Sequence, residues 1–212
     1  AGDHEAALQT LAEGEAFGKR EACTRIIINM LSERVWLLLK MNRLEAAQQA
    51  ANDLYDVEKG WEIADETAQS VWLDSHYQRD ITRVRLELFN HSIEHSLTLL
   101  APHIDQAKRE ARHYPLVNLL ILKALVLNRQ SKTKTALKHM VEAVTYAASG
   151  QLIRTFKDAG SEAHELLSGV LGQWQLHASV LSKPVDGAYL KKLKQSFSVA
   201  EEDSEEDVIS FE

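Results

Sequence analysis

Apolar positions recur along this chain at helical spacing, and the helices they mark come in pairs. The stretch Asn42 to Asn52, NRLEAAQQAAN, sets the pattern. A turn-prone residue (Asn42) comes first, an aliphatic two later (Leu44) and a small residue three after that (Ala47). The signature returns as Gly2, His4, Ala7, as His91, Ile93, Ser96, and as Ser131, Thr133, Ala136. The registers are 2, 42, 91 and 131, with spacings of 40, 49 and 40. A period near 40 between helical segments predicts an all-α fold, an α-solenoid (superhelix) of tetratricopeptide-like antiparallel helix pairs. Each small residue falls where two helices of a pair approach most closely.

Taken in order, residues 3–18 predict an amphipathic helix with Ala7, Leu8, Leu11 and Phe17 on one side, and Gly18 as its end. By register it is the second helix of a pair. The chain opens on Ala1 without a starting Met, which reads as a piece of a longer array, truncated at its N-terminus. Residues 24–41 predict a first helix that is apolar around most of its circumference, entered at Thr24 as a cap. A narrow polar stripe of Arg25, Asn29, Ser32 and Lys40 survives on it. Residues 43–58 are its partner, and 59–75 read as an ordered connection that carries Trp61 and Trp72 and breaks the period. A third pair follows at 76–90 and 92–112, with a kink or break expected near Ala101 because Pro102 lies inside the second helix. A fourth pair spans 115–130, with Pro115 in its first turn and the run LVNLLILKALVL, and 132–148, stopped by Gly150. Beyond it the register is lost: short helices are expected at 152–157, 161–171 and 186–197. From Ser198 the acidic EEDSEEDVISFE predicts a disordered tail or linker. The expected organisation is a helical-repeat domain over 1–171, short C-terminal helices over 172–200 and an acidic tail over 201–212.

Composition narrows the function classes. Nine Gly and three Pro suit long helices, and a net charge of −7 with a pI near 5.7 argues against direct nucleic-acid binding. The acid excess is concentrated in Glu201 to Glu212. One cysteine, Cys23, excludes an internal disulfide and fits a reducing, cytoplasmic compartment. There is no signal-peptide pattern and no apolar run of membrane-spanning length, so no membrane partner is expected.

The segment from Ala111 to Leu167 resembles the last repeats of the maltose-activator type of large LuxR-family transcription regulators. The resemblance rests on a near-continuous Leu/Ala helix and on a partner helix with Ala136, Leu137, Met140, Ala143 and Val144. It also rests on the Arg-x-Phe-x-Asp-x-Gly element Arg154, Phe156, Asp158 and Gly160. Upstream, Thr82, Arg85 and Leu88 match a Thr-x-x-Arg-x-x-Leu helix of that family, and the likeness extends over roughly residues 2–170. The turn glycines expected at 42, 91 and 131 are missing, and SKTKT stands where the family prefers Asp, Arg and Ala. The resemblance implies an ATP-binding module before the repeats and a helix-turn-helix domain after them in a parent protein. ATP would then be the parent's cofactor and DNA its partner only through that other domain; this stretch holds no GxxxxGK[ST] motif and is expected to need no cofactor. The implied role is effector sensing and oligomerisation, with a small-molecule effector or a regulatory protein as partner and self-association as an output. The alternative is a tetratricopeptide-type scaffold that binds a peptide or helix of another protein.

No residue set supports catalysis. His91-Ser-Ile-Glu-His95 spells H-x-x-E-H, a zinc-peptidase pattern, but His91 falls at a turn position, so coincidence is the better reading. The remaining histidines have no ligand spacing, and Cys23 reads as an inert thiol. Lys191, Lys192 and Lys194 read as a solvated face. The candidates for an effector site are Asn29, Arg34, Trp36, Arg83, Arg85, Asn118 and Lys123, polar or aromatic residues on the apolar first helices that line the inner surface of such arrays. Trp36 and Trp72 could stack on a ring; the plain alternatives are core packing for the tryptophans and ion pairing between repeats for the cations. Convergence of Arg83, Arg85, Asn118 and Lys123 on one cavity would favour an anionic or hydroxyl-rich effector.

Overall fold

The computed structural model describes residues 3–62, 69–174 and 185–206, with side chains placed for 3–60, 76–174 and 185–197. Every element among them is helical: α1 (His4–Arg20), α2 (Thr24–Lys40), α3 (Leu44–Glu62), α4 (Gln69–Phe89), α5 (Ser96–Arg109), α6 (His113–Arg129), α7 (Thr133–Gly150), α8 (Arg154–Lys157), α9 (Ser161–Gly172) and α10 (Gly187–Glu206). The fold is the expected all-α array of tetratricopeptide-like pairs. It forms two compact units, Ala1–Leu100 and Ala101–Glu212, with the division inside α5.

The same turn recurs at six helix junctions among the described residues. Ala22, Asn42, His91, Ala111, Ser131 and Gln151 all have φ between 51° and 60°. They stand twenty residues apart except between 42 and 91. Each closes the preceding helix with the same pair of bonds: the Asn42 N–H donates to Leu39 O (3.0 Å), and the Arg43 N–H reaches back to Leu38 O (2.9 Å). At the next pair, Ser131 donates to Asn128 O and Lys132 to Leu127 O, both at 2.9 Å. This is the Schellman closure, whose left-handed residue is usually glycine; here no member is glycine. The turn-prone positions at 42, 91 and 131 thus lie where the repeat places them, and Ala22, Ala111 and Gln151 complete the series between pairs.

In the first unit α2 packs against α1, α3 and α4, and α3 also packs against α4. Ile27, Ile28 and Leu31 form a cluster with Leu54, while Val35, Leu38 and Leu39 join Ala47, Ala50, Ala51 and Leu86. Ser32, part of the polar stripe in the sequence, is fully buried and shares a 2.9 Å hydrogen bond with the Thr82 hydroxyl. Gly18 is not the end of α1, which runs on to Arg20. It is buried because a Cβ there would come within 2.9 Å of Ile27 Cγ1 and 3.2 Å of the Ile27 backbone nitrogen. With Gly14, which faces Met30, it forms a notch that lets α2 approach. Thr24 opens α2 as its first residue, with Cys23 at the cap position.

The expected connection at 59–75 is largely helix: α3 continues to Glu62 and α4 begins at Gln69. The longer spacing is absorbed by extra turns on both helices and by residues 63–68. The side chains of Trp61 and Trp72, and with them the packing expected there, lie outside the described residues. α5 starts at Ser96, not at residue 92, and continues as helix through Pro102, so the break allowed for near Ala101 does not occur. Pro102 lies in the helix interior, where its ring removes one backbone donor.

In the second unit α6 and α7 form a close pair. Leu116, Val117, Leu119, Leu120, Ile121, Leu122, Ala124, Leu125, Val126 and Leu127 are buried on α6, all round its circumference. α9 packs on α7 and α6, α8 lies against α6 and α9, and α10 docks on α9. Tyr189 and Leu193 of α10 are fully buried, and the Tyr189 hydroxyl donates to Leu152 O at 3.0 Å. α10 extends through Ser198 to Glu206, where the acidic composition predicts a disordered tail.

Candidate functional site

Two grooves open in the first unit. One, of about 430 Å³, lies along α3 and α4 and is lined by Gln48, Tyr55, Arg79, Arg83, Leu86, Glu87, Asn90 and Ser92. Steps of three and four put the α4 residues on one helix face, and the seven-residue step from Gln48 to Tyr55 does the same on α3. Arg83 Nε donates to Glu87 Oε1 (3.1 Å), and Glu87 Oε2 accepts from Ser96 Oγ (2.6 Å). Arg79 donates to Glu58 (3.3 Å) and to Asp80 (2.9 Å), both buried carboxylates, and His76 Nδ1 also contacts Glu58. Burial pushes the Tyr55 hydroxyl pKa up, partly offset by Arg83. Three carboxylates thus outnumber the two guanidinium groups, leaving a hydrogen-bonding wall without an excess of positive charge.

The other groove, of about 380 Å³, lies among α1, α2 and α3. Leu8, Leu38, Ala46 and Ala50 line it together with Arg34, Arg43, Glu5, Gln9, Gln49 and Asp53. Arg34 pairs with Glu15 at 2.9 Å and Arg43 with Glu5 at 3.1 Å. Arg34 and Arg83 are 49 residues apart, the spacing of their repeats, so each groove receives an arginine from the same register position. Lys123 holds that position on α6, 40 residues further on.

The five candidate residues of the first unit therefore do not form one site. Arg34 and Trp36 are two positions apart on α2, about 200° around the helix, and Arg83 and Arg85 are related in the same way on α4. Arg34 and Arg83 go to the two grooves. Trp36 and Arg85 meet in the seam between α2 and α4, with Arg85 Cζ 4.8 Å and Lys40 Nζ 4.9 Å from the Trp36 ring centroid. Glu33 lies 3.9 Å from Arg85 Nη1. Two cations stand over the ring, which could have stacked on a ligand or packed in the core. Asn29, one helical heptad before Trp36, is half-buried on α2; Asn118 and Lys123 are half-buried on α6 of the second unit.

Two motif readings become structural. Thr82 and Arg85, of the Thr-x-x-Arg-x-x-Leu helix, dock α4 on α2 through Ser32 and Trp36. In the Arg-x-Phe-x-Asp-x-Gly element Phe156 is buried, Arg154 pairs with Asp158 at 3.3 Å, and Gly160 turns the chain at φ 94°. His164 Nε2 donates to the Phe156 and Lys157 carbonyls at 3.0 and 3.2 Å. His91 and His95 are exposed and precede α5, and among the described residues no group of three or more His, Cys, Asp or Glu could hold a metal ion. Nor is any described helix long and apolar enough to cross a membrane. Sequence reasoning missed Gln48 and Tyr55 because they lie on α3, a second helix, and it passed over Arg79, Glu87 and Asn90 of the same stretch that gave Arg83 and Arg85. The repeat of Arg34 at Arg83 was the available signal.

Uniform pairs, one shared turn and grooves bounded by successive helices define a tetratricopeptide-like helical-repeat domain, a class that typically acts by binding. Residues 1–173 match the family described as the MalT-like TPR region, and the chain belongs to that family. Neither the curated proteins nor the solved structures contain a significant match to it.

Proposed function

We propose that this chain is the effector-sensing and oligomerisation domain of a LuxR-family bacterial transcriptional regulator, acting by binding and not by catalysis. Membership of the MalT-like TPR region family over residues 1–173 carries this reading. The α3–α4 groove is the effector seat. Its lack of positive excess and its amide, hydroxyl, guanidinium and carboxylate groups favour the hydroxyl-rich ligand over the anionic one among the two classes that the cations suggested. The effector prefers one of two states of the protein, and that difference reaches the ATP-binding and DNA-binding modules of the parent.

Thermal unfolding of this chain with neutral polyols, phosphorylated sugars and dicarboxylates tests the proposal. A ligand at about 100 times its Kd adds about 2.7 kcal/mol of stability. Arg83→Ala is expected to abolish the shift while leaving the melting temperature of the free protein nearly unchanged, because Arg83 is exposed. A phosphorylated sugar as the sole binder, or a shift that survives Arg83→Ala, would overturn the seat. The scaffold reading finds support in the apolar floor of the α1–α3 groove, formed by Leu8, Leu38, Ala46 and Ala50. Titration with amphipathic helical peptides, read by Arg34→Ala, separates the two readings.

A further inference from the structure

Charge is unevenly placed along the second unit. Residues 101–200 hold fourteen Lys and Arg against seven Asp and Glu, a net of +7. Residues 201–212 hold seven acids and no base, a net of −7. Four of the seven acids in 101–200 are already ion-paired: Glu142 with Lys108, Glu110 with Arg112, Glu162 with Arg129 and Asp158 with Arg154. Three of the surplus cations open α7. Lys132, Lys134 and Lys138 are exposed, and the first turn of α7 contains no acid. Lys132 donates to the Gln130 amide oxygen at 2.9 Å, and among the described residues none of the three lysines is ion-paired. Lys132 and Lys134 stand at the positive end of the helix dipole, and Lys134 and Lys138 repel each other across one turn. The face is unfavourable by itself and is relieved by acid.

The acids are carried toward it. Tyr189, near the start of α10, bonds Leu152 O just beyond the end of α7. Phe197 packs edge-on against His164 in the first turn of α9, with ring centroids 4.6 Å apart. Glu162 of the same turn accepts from Asn128 (3.2 Å) and Arg129 (2.7 Å) at the end of α6, and Asn128 accepts from Thr133 of α7 (3.1 Å). α10 therefore runs from the end of α7 toward the turn between α6 and α7. Its backbone continues as helix to Glu206, so residues 201–206 begin ~6 Å and end ~14 Å beyond Phe197 along the axis. Lys134 and Lys138 flank Leu137, which faces Gly169 of α9, so they border the edge on which α9 and α10 lie. Lys191, Lys192 and Lys194 are on α10 itself, and a continuous helix keeps them from folding onto its own acids at 201–206.

We propose that residues 201–212 lie against Lys132, Lys134 and Lys138 of the same chain, an acidic strap over the opening of α7. The contact joins exposed side chains, so it is weak, reversible and sensitive to salt. It screens this face from other anions until the strap is displaced.

Paramagnetic relaxation in the full chain tests the strap, with a nitroxide on Ser204→Cys in a Cys23→Ser background. At low salt the label should broaden the backbone amide signals from Lys132 to Lys138, and the effect should fall at least about twofold in about 0.5 M NaCl. Lys132→Gln, Lys134→Gln and Lys138→Gln together should remove it. All three lysines are exposed, so far-ultraviolet circular dichroism of this variant is expected to be unchanged. Equal broadening in a mixture of spin-labelled chain with isotope-labelled, spin-free chain would make the contact one between copies and overturn the proposal. Broadening that is absent from Lys132 to Lys138, or that survives the three substitutions, would overturn it as well.

Discussion

α2 and α6 hold the same place in their repeats, yet the two helices are built on different terms. α6 buries ten hydrocarbon side chains, with only Asn118 and Lys123 half-buried among them. α2 buries seven residues, one of them Ser32, and carries Arg34 and Trp36 on its flanks. Hydrocarbon contact is non-directional and close-packed, so it fills space around α6. The polar contacts of α2, to Thr82, Glu15 and Arg85, are directional. They fix which helix docks where, and they keep charged groups at the helix edges, where the grooves open.

The largest test of this contrast is a matched pair of truncations. Leu31 and Leu120 are register equivalents, and both are almost fully buried. Leu120→Ala and Leu31→Ala should each cost about 2–5 kcal/mol in urea unfolding, with Leu120 toward the upper end because hydrocarbon surrounds α6 on all sides. A larger loss at Leu31 would break the comparison.

The polar seam is tested next. Ser32→Ala strands the buried Thr82 hydroxyl and should cost about 1–3 kcal/mol, while adding Thr82→Val recovers part of the loss. Additive losses in the double variant would mean that the bond does not hold α4 to α2.

A smaller effect belongs to the second unit and to pH. The hydrogen bond from His139, together with those from Lys108, holds the Glu142 carboxyl down at about 2 against an ordinary 4.5. A depressed folded pKa contributes stability that is complete above about 4.5 and lost as pH falls toward 2. After allowance for solvent screening the contribution is roughly 1–2 kcal/mol. Glu142→Gln should lower stability at pH 7 by that amount and flatten the acid limb of the pH–stability curve. An unchanged limb would place the acid sensitivity elsewhere.

The smallest effect should be equal in both units. Ala22→Gly and Ala111→Gly relieve a left-handed alanine and should each add about 0.5–1 kcal/mol. Equal gains confine the difference between the units to their helix interfaces; unequal gains extend it to the turns.

The helix pairs were legible because the turn position recurs with its Leu or Ala partners, as at Asn42, Leu44 and Ala47. Gly18 was misread because a glycine near the end of a helical pattern looks like a stop, and only the position of Ile27 shows it to be a notch. The interval 59–75 was misread because tryptophan, glycine and acids in a row carry no helical period, although α3 and α4 extend into it. The candidate site was half legible. Apolar helices advertise their polar exceptions, so Arg34 and Arg83 stood out. Tyr55 and Gln48 sit on an ordinary amphipathic helix, where nothing in composition sets them apart. The two-residue steps from Arg34 to Trp36 and from Arg83 to Arg85 could have been placed on opposite sides by helical geometry alone.

The even interval between the left-handed turns has a consequence for how this gene can change length. Exchange of coding segments that adds or removes a whole helix pair leaves every remaining side chain on its former side. Loss of one helix with its turn would seat a second helix where a first belongs, and each seam beyond the break would be mismatched. The stretch between the turns at 42 and 91 is nine residues longer than two of the other intervals together, with regular turns on either side of it. A reporter domain or affinity tag placed within this chain belongs in that interval, at residues 63–68, where the count is already broken.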